Sequence, residues 1–253
     1  MTSSVDVGLT ISPNDLLGRG NGTTPLSRSY GPGTAVTITA PQTLEVQGAH
    51  YRFTGWSGDA SGTNTTITLT MSSMKNIQVN YIRLYHLTIA SGTGGTTNPA
   101  PGNYLFDTGA VVSVTASPNT HYRFLNWSGS ATGPANPVSL TVDGDETVTA
   151  NFRRNIYPPL NAAAQKVFNR SVSRAEYINI ISWEANANNI NIARYKIYLV
   201  EGSQRTEVAS LAADKSAFTY WHRKVDKNKE YTYAIVAVNN EPREGDAATV
   251  VVR

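Results

Sequence analysis

His50-Tyr51-Arg52-Phe53-Thr54-Gly55-Trp56-Ser57-Gly58 returns as His121-Tyr122-Arg123-Phe124-Leu125-Asn126-Trp127-Ser128-Gly129, with seven of nine positions identical. A repeated stretch of this kind marks an internal duplication, and the flanks extend it. Upstream, Gly33 to Ala40 (GTAVTITA) matches Gly109 to Ala116 (GAVVSVTA). Downstream, Asn76 to Tyr81 (NIQVNY) matches Thr147 to Phe152 (TVTANF), with Asn80 and Asn151 aligned. Leu9-Thr10-Ile11 is paired with Leu87-Thr88-Ile89 on the same grounds. The stretches VTITA, ITLTM, VSVTA and VSLTV alternate apolar and polar residues with a period of two, which predicts half-buried strands. Gly, Pro and Asn clusters at 18–22, 91–103 and 129–137 separate them. Neither copy contains a helical period. Each copy therefore reads as about five short strands, the first spanning 5–82 and the second 83–153.

The order G-x-x-V-x-V-x-A, then Y-x-F-x-x-W-S-G, then V-x-A-N-F, present twice over residues 7–153, resembles the divergent InlB-type B-repeat, a repeat found in tandem in bacterial secreted and cell-surface proteins. The resemblance implies a stalk or spacer role, and in some members adhesion.

Two readings stand for the aromatic residues of the motif. Trp56 and Trp127 are either stacking platforms for sugar rings or, with Tyr51, Phe53, Tyr122 and Phe124, the core of a small domain that needs bulky apolar side chains to be stable. The Ser-Gly after each Trp predicts a turn that ends the strand. Between the copies, Arg83-Leu84-Tyr85-His86 holds neither Gly nor Pro, so the junction is expected to be stiff.

After Phe152 the composition changes. Arg153 to Pro159 reads as a linker whose paired prolines fix an extended path. Seven strands follow, at about 163–169, 177–184, 193–200, 205–211, 216–222, 230–238 and 247–252, a rhythm that predicts a sandwich over 154–253. Trp183 on the second of these strands, Tyr195-Lys196-Ile197-Tyr198 on the third, and Val225 six residues before Tyr231 resemble a fibronectin type III domain, with Val225 replacing the usual Leu of its tyrosine corner. Arg243-Glu244-Gly245-Asp246 lies where some relatives carry Arg-Gly-Asp, but Glu244 interrupts that motif. Of Tyr220 and Trp221, one is expected buried and the other partly so. The fold class is thus all-β: two tandem β-repeat modules and a C-terminal seven-stranded immunoglobulin-like sandwich.

Composition narrows the function. The 253 residues are 40% hydrophobic and only 15% charged, with net charge +3. That charge is divided as zero over 1–82, −1 over 83–153 and +4 over 154–253. A diffuse +4 makes a poor nucleic-acid footprint, and the basic run Arg223, Lys224, Lys227, Lys229 is interrupted by Asp226 and reads as a solvated turn. With no cysteine there are no disulfides, thiolate metal sites or thiol nucleophiles. No apolar run approaches membrane-spanning length. Met1-Thr2-Ser3-Ser4 is not a secretory signal; either a signal has been removed or the chain is a segment given a start Met. His50, His86, His121 and His222 show no metal-ligand spacing. Asp143-Gly144-Asp145-Glu146 could seat calcium but is read as a hairpin turn. No catalytic, cofactor-binding or metal residues are assigned.

These features set an expectation: a non-enzymatic structural or stalk segment, extracellular or at a bacterial cell surface, without cofactors. Its partners would be neighbouring modules, copies of itself, or a surface glycan or protein, with neither nucleic acid nor membrane insertion. Pairing of the end strands, Val5–Ile11 and Thr249–Arg253, would build a filament. An adhesin or carbohydrate-binding accessory module is the alternative.

Overall fold

Strands such as Gly8–Ser12 and Val138–Val142 alternate buried and exposed side chains, as the two-residue period requires, whereas Tyr231–Asn239 is buried on both faces. The computed structural model describes residues 1–171 and 174–253. Among them there are strands and no helix, so the fold is all-β. The chain divides into two compact units, Met1–Asn119 with Phe124–Phe152, and Thr120–Arg123 with Arg153–Arg253.

The repeats supply β1 (Thr2–Ser3), β2 (Gly8–Ser12), β3 (Gly22–Thr23), β4 (Ala35–Thr39), β5 (Thr43–Val46), β6 (Ala49–Gly58), β7 (Thr66–Thr70), β8 (Ile77–Ser91), β9 (Gly95–Asn98), β10 (Gly102–Asp107), β11 (Ala110–Pro118), β12 (Tyr122–Gly129), β13 (Val138–Val142) and β14 (Glu146–Arg154). One sheet runs β12-β14-β8-β6-β5, with β1 and β10 also paired to β8. Smaller sheets, β3-β2-β4-β7 and β13-β11-β9, belong to copies one and two. Each copy keeps its own core. In copy one Leu9, Ile11, Val36, Ile38, Phe53, Trp56 and Val79 gather; in copy two Leu87, Ile89, Val114, Trp127, Val142 and Val148 do.

The motif itself is built identically in both copies. Trp56 Nε1 donates to Asn64 O and Trp127 Nε1 to Ala135 O, both at 2.8 Å. The backbone N–H groups of these tryptophans donate to Gly62 O and Gly133 O. Asn80 and Asn151 each donate from Nδ2 to the serine after the tryptophan, Ser57 and Ser128, at 2.9 Å.

One expected correspondence fails. Leu9–Ile11 and Leu87–Ile89 share letters but not places. Thr10 stands opposite Thr39 of β4 in a small sheet, while Leu87 and Ile89 lie in the large sheet, parallel to β14 and antiparallel to β10. The strand Gly8–Ser12 is also bonded to β3, so the candidate end strand Val5–Ile11 closes its own sheet.

The second unit contains β15 (Leu160–Ser171), β16 (Arg174–Glu184), β17 (Ile192–Glu201), β18 (Gln204–Ala212), β19 (Ala217–Val225), β20 (Tyr231–Asn239) and β21 (Glu244–Val252). They form sheets β15-β16-β19 and β18-β17-β20-β21. Ile181, Trp183 and Phe218 from the first meet Tyr195, Ile197, Tyr233 and Ile235 from the second in one core, which makes the unit a seven-stranded sandwich. Arg153–Pro159 is no free linker in this unit. Ile156 is buried in the core, Asn189 bonds both the N–H and the C=O of Tyr157, and Asn186 donates to Pro158 O.

Candidate functional site

Strand β8 is where the duplication becomes one object. It is 15 residues long and unbroken, the closing strand of copy one at its start and a core strand of copy two at its end. β6 pairs with it from Gly58↔Ile77 to His50↔Leu84, and β10 from Asp107↔Leu84 to Gly102↔Ile89. Valine, isoleucine, leucine and tyrosine in alternation with polar residues favour such an extended run, and no Gly or Pro interrupts it.

Side chains from both copies close over this strand. Arg52 of β6 forks onto Asp107 at the end of β10, with Nε to Oδ1 at 3.0 Å and the second nitrogen on Oδ2. The Arg52 guanidinium holds the Asp107 carboxyl below its ordinary range. Thr108 donates from N and from Oγ1 to Arg83 O, at 3.0 and 2.9 Å. His50 packs edge-on against His86, their centroids 5.3 Å apart, and His86 Nδ1 is 2.9 Å from Asn103 Oδ1. The two copies are thus joined by a backbone ladder flanked by an ion pair and hydrogen bonds.

The other sequence-derived candidates take different places. Trp56 and Trp127 are 5% and 1% exposed, so the core reading holds and the sugar-platform reading is excluded for both. Asp143-Gly144-Asp145-Glu146 joins β13 to β14, which lie in different sheets, so it is a crossover turn rather than a hairpin. Asp145 Oδ1 there accepts from His86 N at 2.8 Å. Among the described residues no three His, Asp or Glu side chains assemble as a metal site.

In the sandwich, Tyr220 is half-buried and Trp221 is 51% exposed, so neither is the fully buried member of the expected pair. Trp221 points to the outer face because strand alternation sends Phe218, Tyr220 and His222 toward the interior. It lies with Val167, Phe168, Ile178 and Ile180 around a shallow hollow of about 200 Å³, and Arg223 sits 5.6 Å from the Trp221 ring. Glu244, the residue that interrupts Arg-Gly-Asp, is committed to Tyr198, Lys196 and Arg205. Burial pushes its carboxyl up, but those hydrogen bonds and charges outweigh burial and hold it below its ordinary value.

Two features escaped sequence reasoning. His222 Nδ1 lies 2.6 Å from Tyr233 Oη, which also accepts from Asn179 Nδ2 at 2.8 Å, so a polar chain crosses three strands inside the sandwich. In copy one, the buried Asp15 carboxylate accepts from Leu17 N, Arg19 N and the Arg19 guanidinium. Arg19 first, and the backbone donors after it, hold that carboxyl well below the usual range. The i to i+4 spacing of Asp15 and Arg19 was visible in the sequence, but the loop that folds back on it was not.

Comparison with known proteins agrees with the duplication. Residues 16–83 and residues 85–156 each match the family model of the divergent InlB B-repeat domain. No curated protein matches the chain. Among solved structures, domains A168–A170 of titin align over 98% of each chain at 7% identity with a TM-score of 0.26, a value too low to carry an argument. No helix among the described residues is long and apolar enough to cross a membrane. With two matched segments filling more than half of its length, the chain belongs to the divergent InlB B-repeat family, a family of repeat modules associated with bacterial surface proteins.

Proposed function

We propose that the chain is a non-enzymatic structural segment of a bacterial surface or secreted protein, a spacer in which consecutive modules are fused through shared strands. The observation that carries this reading is β8: 15 residues that span about 50 Å at the usual rise and serve both copies. A flexible tether between repeats would leave each copy free to turn; a shared central strand makes them one sheet. The sandwich is read as a fibronectin type III-like domain. Supporting this are its three-plus-four strand order, buried Trp183 on its second strand, and Tyr231 Oη accepting from Asp226 N at 2.8 Å, as a tyrosine corner requires. Single-molecule pulling on the chain tests the spacer reading. The repeats should release together, with a length gain on the order of 500 Å for their roughly 150 residues. Two half-size events at low force would sink it.

A second reading, an adhesin or accessory binding module, draws on the exposed Trp221, Phe168 and Arg223 surface. Exposed aromatics beside a cation are the usual equipment for sugar or peptide recognition. A screen against insoluble polysaccharides and matrix proteins separates the two. Binding lost in Trp221→Ala would favour the adhesin, and a flat response the spacer.

A further inference from the structure

Strand alternation decides which face of the large sheet the junction histidines take. Phe53 of β6 and Tyr81 of β8 pack in the copy-one core, and Tyr85 and Leu87 of β8 in the copy-two core. His50 and Arg52, and with them Leu84 and His86, therefore stand on the opposite face. Register then brings two distant positions together. His50 lies opposite Leu84, and His86 is the next residue of β8 on that face, so their rings meet with centroids 5.3 Å apart.

Each ring has an oxygen behind one nitrogen only. His86 Nδ1 lies 2.9 Å from Asn103 Oδ1, an oxygen that can only accept, so Nδ1 carries the hydrogen and Nε2 keeps its lone pair. Glu45, opposite His50 on β5, places Oε2 4.0 Å from His50 Nδ1. A carboxylate or amide oxygen behind Nδ1 is the support that metal-ligating histidines use, because it orients the ring and leaves Nε2 for the ion. The His50 side chain is 34% exposed, so ions reach it from solvent. Nearby charge favours a cation: Asp145 Oδ1 accepts from His86 N at 2.8 Å, Glu45 flanks His50, and the positive charge of Arg52 is taken by Asp107.

The ring separation fits a shared metal. A zinc–imidazole bond is about 2.0–2.1 Å, which puts the ion about 3.2 Å from each ring centre and two rings at a tetrahedral angle about 5.2 Å apart. The observed separation is 5.3 Å. The rings meet edge to face, at 85°, so one of them turns about χ2 to aim its nitrogen at the ion. His86 is held by Asn103 and His50 only loosely by Glu45, which makes His50 the ring that turns. His121, the counterpart of His50, supplies an internal comparison. It meets Tyr157 instead of a second imidazole, with Nδ1 3.1 Å from the phenol oxygen.

We propose that His50 and His86 form a two-histidine site for a divalent transition-metal ion, Zn2+ being the simplest case, held through both Nε2 atoms with water in the remaining positions. Imidazole nitrogen suits zinc, copper and nickel, whereas calcium and magnesium take oxygen ligands. Two protein ligands make the ion exchangeable rather than a permanent part of the fold. His50 belongs to copy one and His86 to the part of β8 that serves copy two, so the ion ties the copies together where β8 passes between them. No local histidine spacing announces the site, because its ligands meet only through sheet register. The spacer reading stands without this site and is tested separately, by pulling.

Calorimetric titration of the whole chain with zinc chloride tests the site. One saturable zinc per chain is expected, with affinity falling about tenfold or more in His50→Gln and in His86→Gln. His121→Gln should bind as the parent does. Asn103→Ala leaves both imidazoles in place but frees the His86 ring, and should weaken binding by about tenfold. Melting temperatures taken without metal show that each variant is folded. At saturating zinc, amide exchange across Ala49–Arg52 and Leu84–Leu87 should slow in the parent chain and not in His86→Gln. Absence of saturable binding, or binding that survives the loss of either His50 or His86, overturns the proposal.

Discussion

Gly58 and Gly129 follow the repeated tryptophans for a steric reason. Their φ angles are +88° and +94°, and a Cβ at either would fall 2.3 Å from Asn76 O or 2.2 Å from Thr147 O. Only glycine accepts both the left-handed turn and the close approach of a neighbouring strand. Gly129→Ala should therefore destabilise the repeats by more than about 1 kcal/mol, seen as a lower urea midpoint with unchanged slope. His222 makes the other residue-scale prediction. Burial lowers its pKa from the ordinary value, so the unfolded chain binds the proton more readily than the folded one. Stability from neutral His222 is thus full above about pH 6.5 and declines as pH falls below it. His222→Gln, which keeps a partner for Tyr233 but does not titrate, should flatten the fall in unfolding free energy between pH 7 and pH 5. The strand end after each Trp was legible because Ser-Gly is a local signal, although the pair forms the last two residues of the strand rather than a turn. The His222–Tyr233–Asn179 chain was not, because Asn179 and Tyr233 are 54 positions apart and meet only when the sandwich closes.

At the scale of elements, the strands were legible and their partners less so. Period-two alternation marks VTITA or NIQVNY as a strand whatever pairs with it, and the seven strands of the sandwich lie where their rhythm predicts. Pairing depends on contacts between distant segments, so two identical triplets, Leu9-Thr10-Ile11 and Leu87-Thr88-Ile89, end in different sheets. That Arg83–His86 carries no break was readable from the absence of Gly and Pro; that one strand would serve both copies was not. This makes β8 the element whose failure should spread. Leu84 stands opposite His50 of β6 and Asp107 of β10, so Leu84→Pro removes a ladder donor at a position flanked on both sides. Hydrogen exchange should then accelerate in β6 and in β10 together. By comparison, Asp107→Asn, which touches only the half-exposed ion pair with Arg52, should cost no more than about 1 kcal/mol.

At the scale of the whole molecule, the absence of cysteine means that no disulfide holds the cores together, and each must be stable through apolar packing. The low charged share suited β-rich modules without establishing them, and the duplication announced that two of the modules are alike. What it could not announce is how cooperativity is distributed, because that follows from which cores share a strand. The repeats have separate clusters around Trp56 and Trp127 joined through β8, and the sandwich has its own cluster around Trp183. Ile181 is fully buried in that last cluster. Ile181→Ala removes three carbons from a packed site and should cost about 2–5 kcal/mol of the sandwich's stability. Since Ile181 packs in none of the repeat clusters, calorimetry of the variant should show one transition moved down by several degrees and the other in place. Were both transitions to move together, the cores would be thermodynamically coupled, and the unit of folding would be the entire chain rather than the sheet organised on β8.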